Sequence, residues 1–181
     1  MIYVTGASGY LGQHLVKRGA IPLSRDDYSP CRAEVVIHAA WSGVPKTGEP
    51  VPDQSRNFSI TQRLLDAYPR FIVFTSTRTG GGAYLEEKQA AEKYLSVSGI
   101  RHRIIRFPGL FGPPRRQGLM YAVTRATLLN RPITTTVAPD WTTMTVAAAA
   151  AVCMEAAYLE RPGLAEARDE GTEAWLAFCR S

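Results

Sequence analysis

Hydrophobic positions along this chain fall into two kinds of block that alternate. One kind is short, almost continuously apolar and rich in β-branched or aromatic residues: MIYVT at 1–5, EVVIHAAW at 34–41, FIVFTST at 71–77 and RHRIIRF at 101–107. Such runs are too short for helices and predict strands covered on both faces. The other kind spaces its apolar residues three and four apart. Leu11, Leu15 and Val16 do so in GYLGQHLVKRG, and Ile60, Leu64 and Leu65 in RNFSITQRLLDAYPR. Helices are also predicted for YLEEKQAAEKYLSVSG, QGLMYAVTRATLLNR and VAAAAAVCMEAAYLE, with Gly19 and Gly99 as stop signals. AIPLS (20–24) and PITTTV (132–137) read as short strands, the first weakened by Pro22. The loops are SGVPKTGEPVPDQS, RTGGG and PGLFGPP, and the tail from Arg161 is expected to add a helix.

The resulting order, β-α-β-β-α-β-α-β-α-β-α, predicts an α/β fold built on a doubly wound parallel sheet. One link is unusual. Only about ten residues join AIPLS to EVVIH, near the lower limit for a parallel crossover, so that link holds one helical turn or none.

A length of 181 residues suits one domain. Cys31, Cys153 and Cys179 are widely spaced, which disfavours a disulfide framework or a zinc site, and no metal is expected. No apolar run reaches membrane-spanning length and no signal-peptide pattern opens the chain, so a cytoplasmic protein is expected, away from membranes. The net charge of +5 rests mainly on 17 scattered arginines, without the basic, aromatic-interleaved block of a nucleic-acid surface. A solvated mixed surface or a preference for anionic small molecules accounts for it.

The first strand runs into TGASGYLG, with Gly6, Gly9 and Gly12 directly after a strand and opening a helix. There glycine permits a tight turn and close approach of the backbone to a pyrophosphate, which the helix start then holds. Ser8, Tyr10 and Leu11 belong to the same loop. The end of the second strand should meet the adenosine ribose, and it offers SRDD. Ser24 and Arg25 facing the ribose would favour NADP; Asp26 would favour NAD. NADP is the first choice.

Tyr84 and Lys88, four apart in YLEEK, share a helix face soon after a strand ending in hydroxyl residues. With TGASGYLG, VVIHAA, NFSITQRLLDA, FTST and RFPGLFGP in order over residues 1 to about 113, the chain resembles the extended short-chain dehydrogenase/reductase superfamily. The likeness is to its nucleotide-sugar epimerase, dehydratase and dTDP-4-dehydrorhamnose-reductase-like group. It implies a Rossmann core over 1–112, with a reduced substrate-binding region, 113–181, packed on the same domain. It also implies a catalytic set. Thr77 would hydrogen-bond the substrate oxygen, Tyr84 would act as general acid/base, and Lys88 would bind the nicotinamide ribose and lower the tyrosine pKa. His38, Ala39 and Ala40 would line the cofactor, Asn57 would steady the strand beneath it, and Pro108 and Gly109 would face the nicotinamide amide. Arg115 and Arg116 match the geometry of a substrate diphosphate, or simply start a solvated helix. Trp41 either lines the substrate side or packs in the core.

The chain departs from the family's pattern in two places. Tyr84 follows Thr77 by only seven positions, where the family has a longer loop, and little sequence follows YLERPG. The expected function is therefore an NAD(P)-dependent oxidoreductase, 4-keto reductase first and epimerase second, acting on a sugar-like, nucleotide-linked substrate. The alternative is a non-catalytic NAD(P)-binding sensor or scaffold subunit. The resemblance also implies a homodimer through the helix carrying Tyr84.

Overall fold

The computed structural model describes residues 1–24, 26–41, 54–78, 83–113, 119–132 and 142–167. Arg25, Arg115 and Arg116, the PITTTV strand beyond its first residue and the chain beyond residue 167 lie outside the described residues.

Six parallel strands form the main sheet: β1 (Ile2–Thr5), β2 (Ile21–Pro22), β3 (Val35–His38), β4 (Phe71–Thr77), β5 (His102–Phe107) and β8 (Gly163–Glu166). Their order across the sheet is β2-β1-β3-β4-β5-β8. The predicted doubly wound architecture is present. The continuous apolar runs alternate their side chains between two covered faces: Val4, Val35, Ile37, Phe71 and Val73 on one, Tyr3, Val36, Ile72 and Phe74 on the other. Helices α1 (Tyr10–Val16) and α5 (Val146–Leu159) cover the first face, where Leu15, Ala149, Ala150 and Cys153 are fully buried. Helices α2 (Gln54–Asp66) and α3 (Ala83–Val97) cover the second with Leu64, Leu65, Ala91 and Leu95.

The short β2–β3 link contains a single 3-10 turn, Ser29–Cys31, as its length predicts. Asp27 accepts the Ser29 N–H at 2.8 Å at its entrance, and Tyr28 and Cys31 plug the α2–α3 face. Pro22 is tolerated because β2 lies at the edge of the sheet, where the missing N–H leaves no central ladder bond unmade. Leaving β1, the chain passes through α1 to β2 on one side of it, then recrosses to β3 on the other. A crevice therefore opens beyond the C-terminal ends of β1 and β3, the place where doubly wound sheets bind ligands.

One expectation needs correction, and one strand has no counterpart in the sequence pattern. PGLFGPP is not all loop: β6 (Gly109–Phe111) pairs in parallel with β7 (Thr143–Thr145) as a separate two-stranded sheet. The start of the tail forms β8, registered against β5 from Arg103↔Gly163 to Arg106↔Glu166, and the remainder, over which the helix is expected, lies outside the described residues. The Gly-Leu-Ala-Glu sequence of β8 carries no strand pattern, and the exposed backbone edge of β5 dictates the conformation. Helix α4 (Leu119–Leu128) falls within its predicted span. Thr145 starts α5 by accepting the Ala148 N–H at 3.1 Å.

Candidate active site

The glycine loop closes on itself before α1 begins. Gly6 has φ +70°, and a Cβ there would sit 2.7 Å from the Ala40 Cα, so only glycine lets β1 turn against the end of β3. A Cβ on Gly12 would lie 2.0 Å from the Gly6 carbonyl oxygen, so the first turn of α1 packs directly on the loop. No side chain caps α1 and no acidic residue stands in its first turn. Thr5, Gly6, Ala7, Ser8 and Gly9 form one wall of a cleft of ≈ 410 Å³, completed by Leu23 and Tyr28, by Ala39, Ala40 and Trp41, and by Ile60 of α2. A bare backbone cradle that any Cβ would fill, lacking acidic groups at the helix start, fits a pyrophosphate.

The predicted cofactor residues separate into two groups. Gly6, Ser8, Gly9, Ala39 and Ala40 line the cleft, and so does Trp41. Leu11 is instead a core residue, and Tyr10 donates its hydroxyl to the Gly112 carbonyl at 2.7 Å, tying α1 to the end of β6. The exposed Ser24 accepts the Asp26 N–H at 3.3 Å. Pro108 is buried, and Gly109 starts β6.

His38 is 1% exposed and does not reach the cleft surface. Its partners fix its tautomer. Thr5 Oγ1 accepts the Ala40 N–H at 3.1 Å and donates to His38 Nδ1 at 2.7 Å. His38 Nε2 donates to Thr61 Oγ1 at 3.0 Å, and Thr61 passes its own proton to the Asn57 carbonyl at 3.1 Å. Every proton in this relay has an acceptor with the ring neutral. Burial, aided by the nearby Lys88 charge, pushes the His38 pKa down to about 3. His38 thus holds the Ala39–Ala40 wall in place. Asn57 donates to Glu87 Oε2 at 2.8 Å, joining α2 to α3.

Thr77 ends β4, half-buried, and Tyr84 stands half-buried in the first turn of α3. One turn further, Lys88 is 3% exposed. Its Nζ donates to the Thr75 carbonyl at 2.8 Å and lies 3.9 Å from the centre of the Trp41 ring and 4.9 Å from that of Phe74. Burial lowers its pKa from 10.5 to about 7, against the pull of Glu92 and Glu87 in the opposite direction.

Glu92, one turn beyond Lys88 and 6% exposed, was not singled out from the sequence. Arg106 of β5 clamps it, Nη2 to Oε2 at 2.5 Å and Nε to Oε1 at 3.1 Å. Burial works to raise its pKa, but the Arg106 hydrogen bonds and the Arg106 and Lys88 charges hold it below the usual value. Its spacing four residues after Lys88 was the available signal. Among the described residues there is no group of three metal-ligating side chains, and no helix is long and apolar enough to cross a membrane.

The chain matches no protein-family model and no curated protein sequence. Among solved structures it is similar to the UDP-glucose 4-epimerase of Thermus thermophilus, in complex with NAD, with TM-score 0.73, 20% identity and coverage of 99% of this chain and 82% of that one. It is similar to the UDP-N-acetylglucosamine 4-epimerase of Bacillus cereus, with TM-score 0.74, 20% identity and coverage of 99% and 80%. The dTDP-4-dehydrorhamnose reductase of Clostridium acetobutylicum gives TM-score 0.72, 17% identity and coverage of 99% and 79%. At these identities the likeness establishes the fold: a Rossmann-type doubly wound sheet shared with nucleotide-sugar epimerases and reductases.

Proposed function

We propose that this chain is an NAD(P)-dependent oxidoreductase acting on a carbonyl or secondary alcohol of a sugar-like, nucleotide-linked substrate. The observation that carries the reading is the Lys88 ammonium, buried one helical turn behind Tyr84 and against Trp41, a wall of the glycine-cradled cleft. Stability alone does not call for a buried ammonium with a single hydrogen-bond acceptor among the described residues.

In this reading Gly6, Ser8 and Gly9 hold the pyrophosphate, and Ala39 and Ala40 flank the adenosine half. When bound, the cofactor supplies the hydride chemistry at its nicotinamide. Thr77 orients the substrate oxygen, and Tyr84 gives or takes its proton. A free tyrosine titrates at about 10, too high for a base near neutrality. A lysine ammonium nearby favours the phenolate, and Lys88 supplies that charge while contacting the nicotinamide ribose. NADP remains the first choice of cofactor and 4-keto reduction the first choice of reaction. The structural neighbours from Thermus and the WbmH enzyme of Bordetella bronchiseptica are complexes with NAD, which supports NAD as the second. Pro108 and Gly109 are proposed to face the nicotinamide amide, and Arg115 and Arg116 a substrate diphosphate. Residues 1–112 are proposed as the cofactor half and 113–181 as a reduced substrate region, with a homodimer formed through α3 and α2.

Tyr84→Phe tests the reading. Cofactor-dependent turnover of keto-sugar nucleotides should fall about 10²- to 10⁴-fold with cofactor affinity retained. Unchanged turnover would refute the assigned role. The seven-residue spacing from Thr77 to Tyr84 favours, as second reading, a non-catalytic NAD(P)-binding sensor or scaffold, which would bind cofactor and turn over nothing.

A further inference from the structure

We propose that Trp41, with Phe74, forms an aromatic seat that holds the Lys88 ammonium at the inner wall of the cleft, making Trp41 a positioning residue rather than a substrate contact. The geometry is that of a cation held between ring faces. Nζ lies 3.9 Å from the Trp41 centroid and 4.9 Å from that of Phe74, and the two rings meet edge-on at 77° with centroids 6.0 Å apart. The Thr75 carbonyl takes one proton of the ammonium at 2.8 Å. Among the described residues no carboxylate comes within 4.0 Å of Nζ to form an ion pair, so the ring faces provide what water would otherwise give.

The dependence runs both ways. The Trp41 indole Nε1 is buried with no acceptor among the described residues, so no hydrogen bond of its own fixes the ring. Its place is set by contacts with His38, 6.4 Å between centroids, with Phe74 and with the ammonium. Because Trp41 also lines the cleft, the seat ties the position of the lysine to the wall of that space. The other ionisable groups around Lys88 are Tyr84, Glu87 and Glu92 on α3, His38 on β3, which stays neutral, and Arg106 on β5, which is committed to Glu92. None of them changes when the tryptophan is altered.

As a positioning device the seat rests on the role proposed above for Lys88; as a structure it does not, and the test reads the free protein. The chain has four lysines, Lys17, Lys46, Lys88 and Lys93, so ¹³Cε-lysine labelling gives four signals, with Lys88 assigned by its loss in Lys88→Met. Replacing tryptophan biosynthetically with mono- and then poly-fluorinated tryptophan weakens the ring's negative face without changing its shape. The Lys88 titration midpoint should fall stepwise, by about 0.5 to 1.5 pH units in total, while the other three signals stay put. Trp41→Leu should lower it comparably, and Trp41→Phe should restore most of the loss. In turnover assays Trp41→Leu should move the alkaline or acid limb of the pH profile with the Lys88 midpoint, and Trp41→Phe should not. A Lys88 midpoint indifferent to fluorination, or one that rises, overturns the proposal. A midpoint that falls in a protein without turnover leaves the seat standing and refutes the oxidoreductase reading instead.

Discussion

The two helical layers covering the sheet bury different chemistry. The α1–α5 layer packs aliphatic and small side chains, Leu11, Leu15, Ala149, Ala150, Cys153 and Met154, against Val4, Ile37 and Val73. The α2–α3 layer adds to its apolar packing His38, Asn57, Thr61, Lys88 and Glu92, all at most 6% exposed. Buried polar groups are costly unless paired, so their collection on one face marks where geometry matters more than stability. Within that face a second contrast separates scaffold from site. Both ring nitrogens of His38 are paired, whereas Lys88 is a charge with one hydrogen-bond acceptor among the described residues and two ring faces. A fully paired buried group holds a wall in place; an incompletely compensated buried charge is held ready for use.

The largest expected difference between the layers lies in activity. Tyr84→Phe and Lys88→Met, on the α2–α3 side, should each reduce turnover by about 10²-fold or more. Leu15→Ala on the opposite layer should leave the kcat of the folded protein near its original value while costing about 2–5 kcal/mol of stability. Equal losses of stability with no loss of activity from both layers, measured by urea titration beside turnover, would erase the distinction.

Lys88→Met should next reveal a pH-dependent stability term. The unfolded chain keeps the Lys88 proton up to its ordinary value of 10.5, and the folded protein releases it at about 7. Between those values the unfolded state binds more protons, so wild-type stability rises with pH, by at most about 1.4 kcal/mol per pH unit. Lys88→Met should flatten that rise and be the more stable protein at pH 6–7, as urea midpoints at pH 6 to 10 would reveal.

His38 should give the same sign in a lower window. Its pKa falls from 6.5 to about 3, so stability declines as pH drops through that interval, because the unfolded chain takes up a proton that the folded ring refuses. His38→Leu should cost about 1–3 kcal/mol at pH 7 by leaving Thr5 and Thr61 without their partner, and should reduce the acid-side slope. An unchanged slope below pH 6.5 would place that sensitivity elsewhere.

Much of this fold was legible because its strands are buried on both faces and therefore read as unbroken apolar runs. TGASGYLG was legible for a different reason: the Gly6–Ala40 and Gly12–Gly6 contacts leave no room for any other residue. The one-turn crossover followed from counting residues. β8 was not legible, since Gly-Leu-Ala-Glu becomes a strand only through the free edge of β5. The three-residue strands β6 and β7 are likewise defined by each other. At the site, the Tyr84–Lys88 pair is a helical spacing and visible locally. The Trp41–Lys88 contact and the Arg106–Glu92 clamp join residues distant in sequence through packing, and no local pattern announces them.

Calorimetric titration of the purified protein with NADPH and NADH at pH 8, in buffers of different ionisation enthalpy, tests the central claim most directly. The account predicts binding, tighter for NADPH, with net proton uptake, because an anionic cofactor beside Lys88 favours the ammonium that the free protein has largely given up at that pH. Proton uptake should vanish in Lys88→Met. Binding of neither nucleotide by the folded protein would contradict the account.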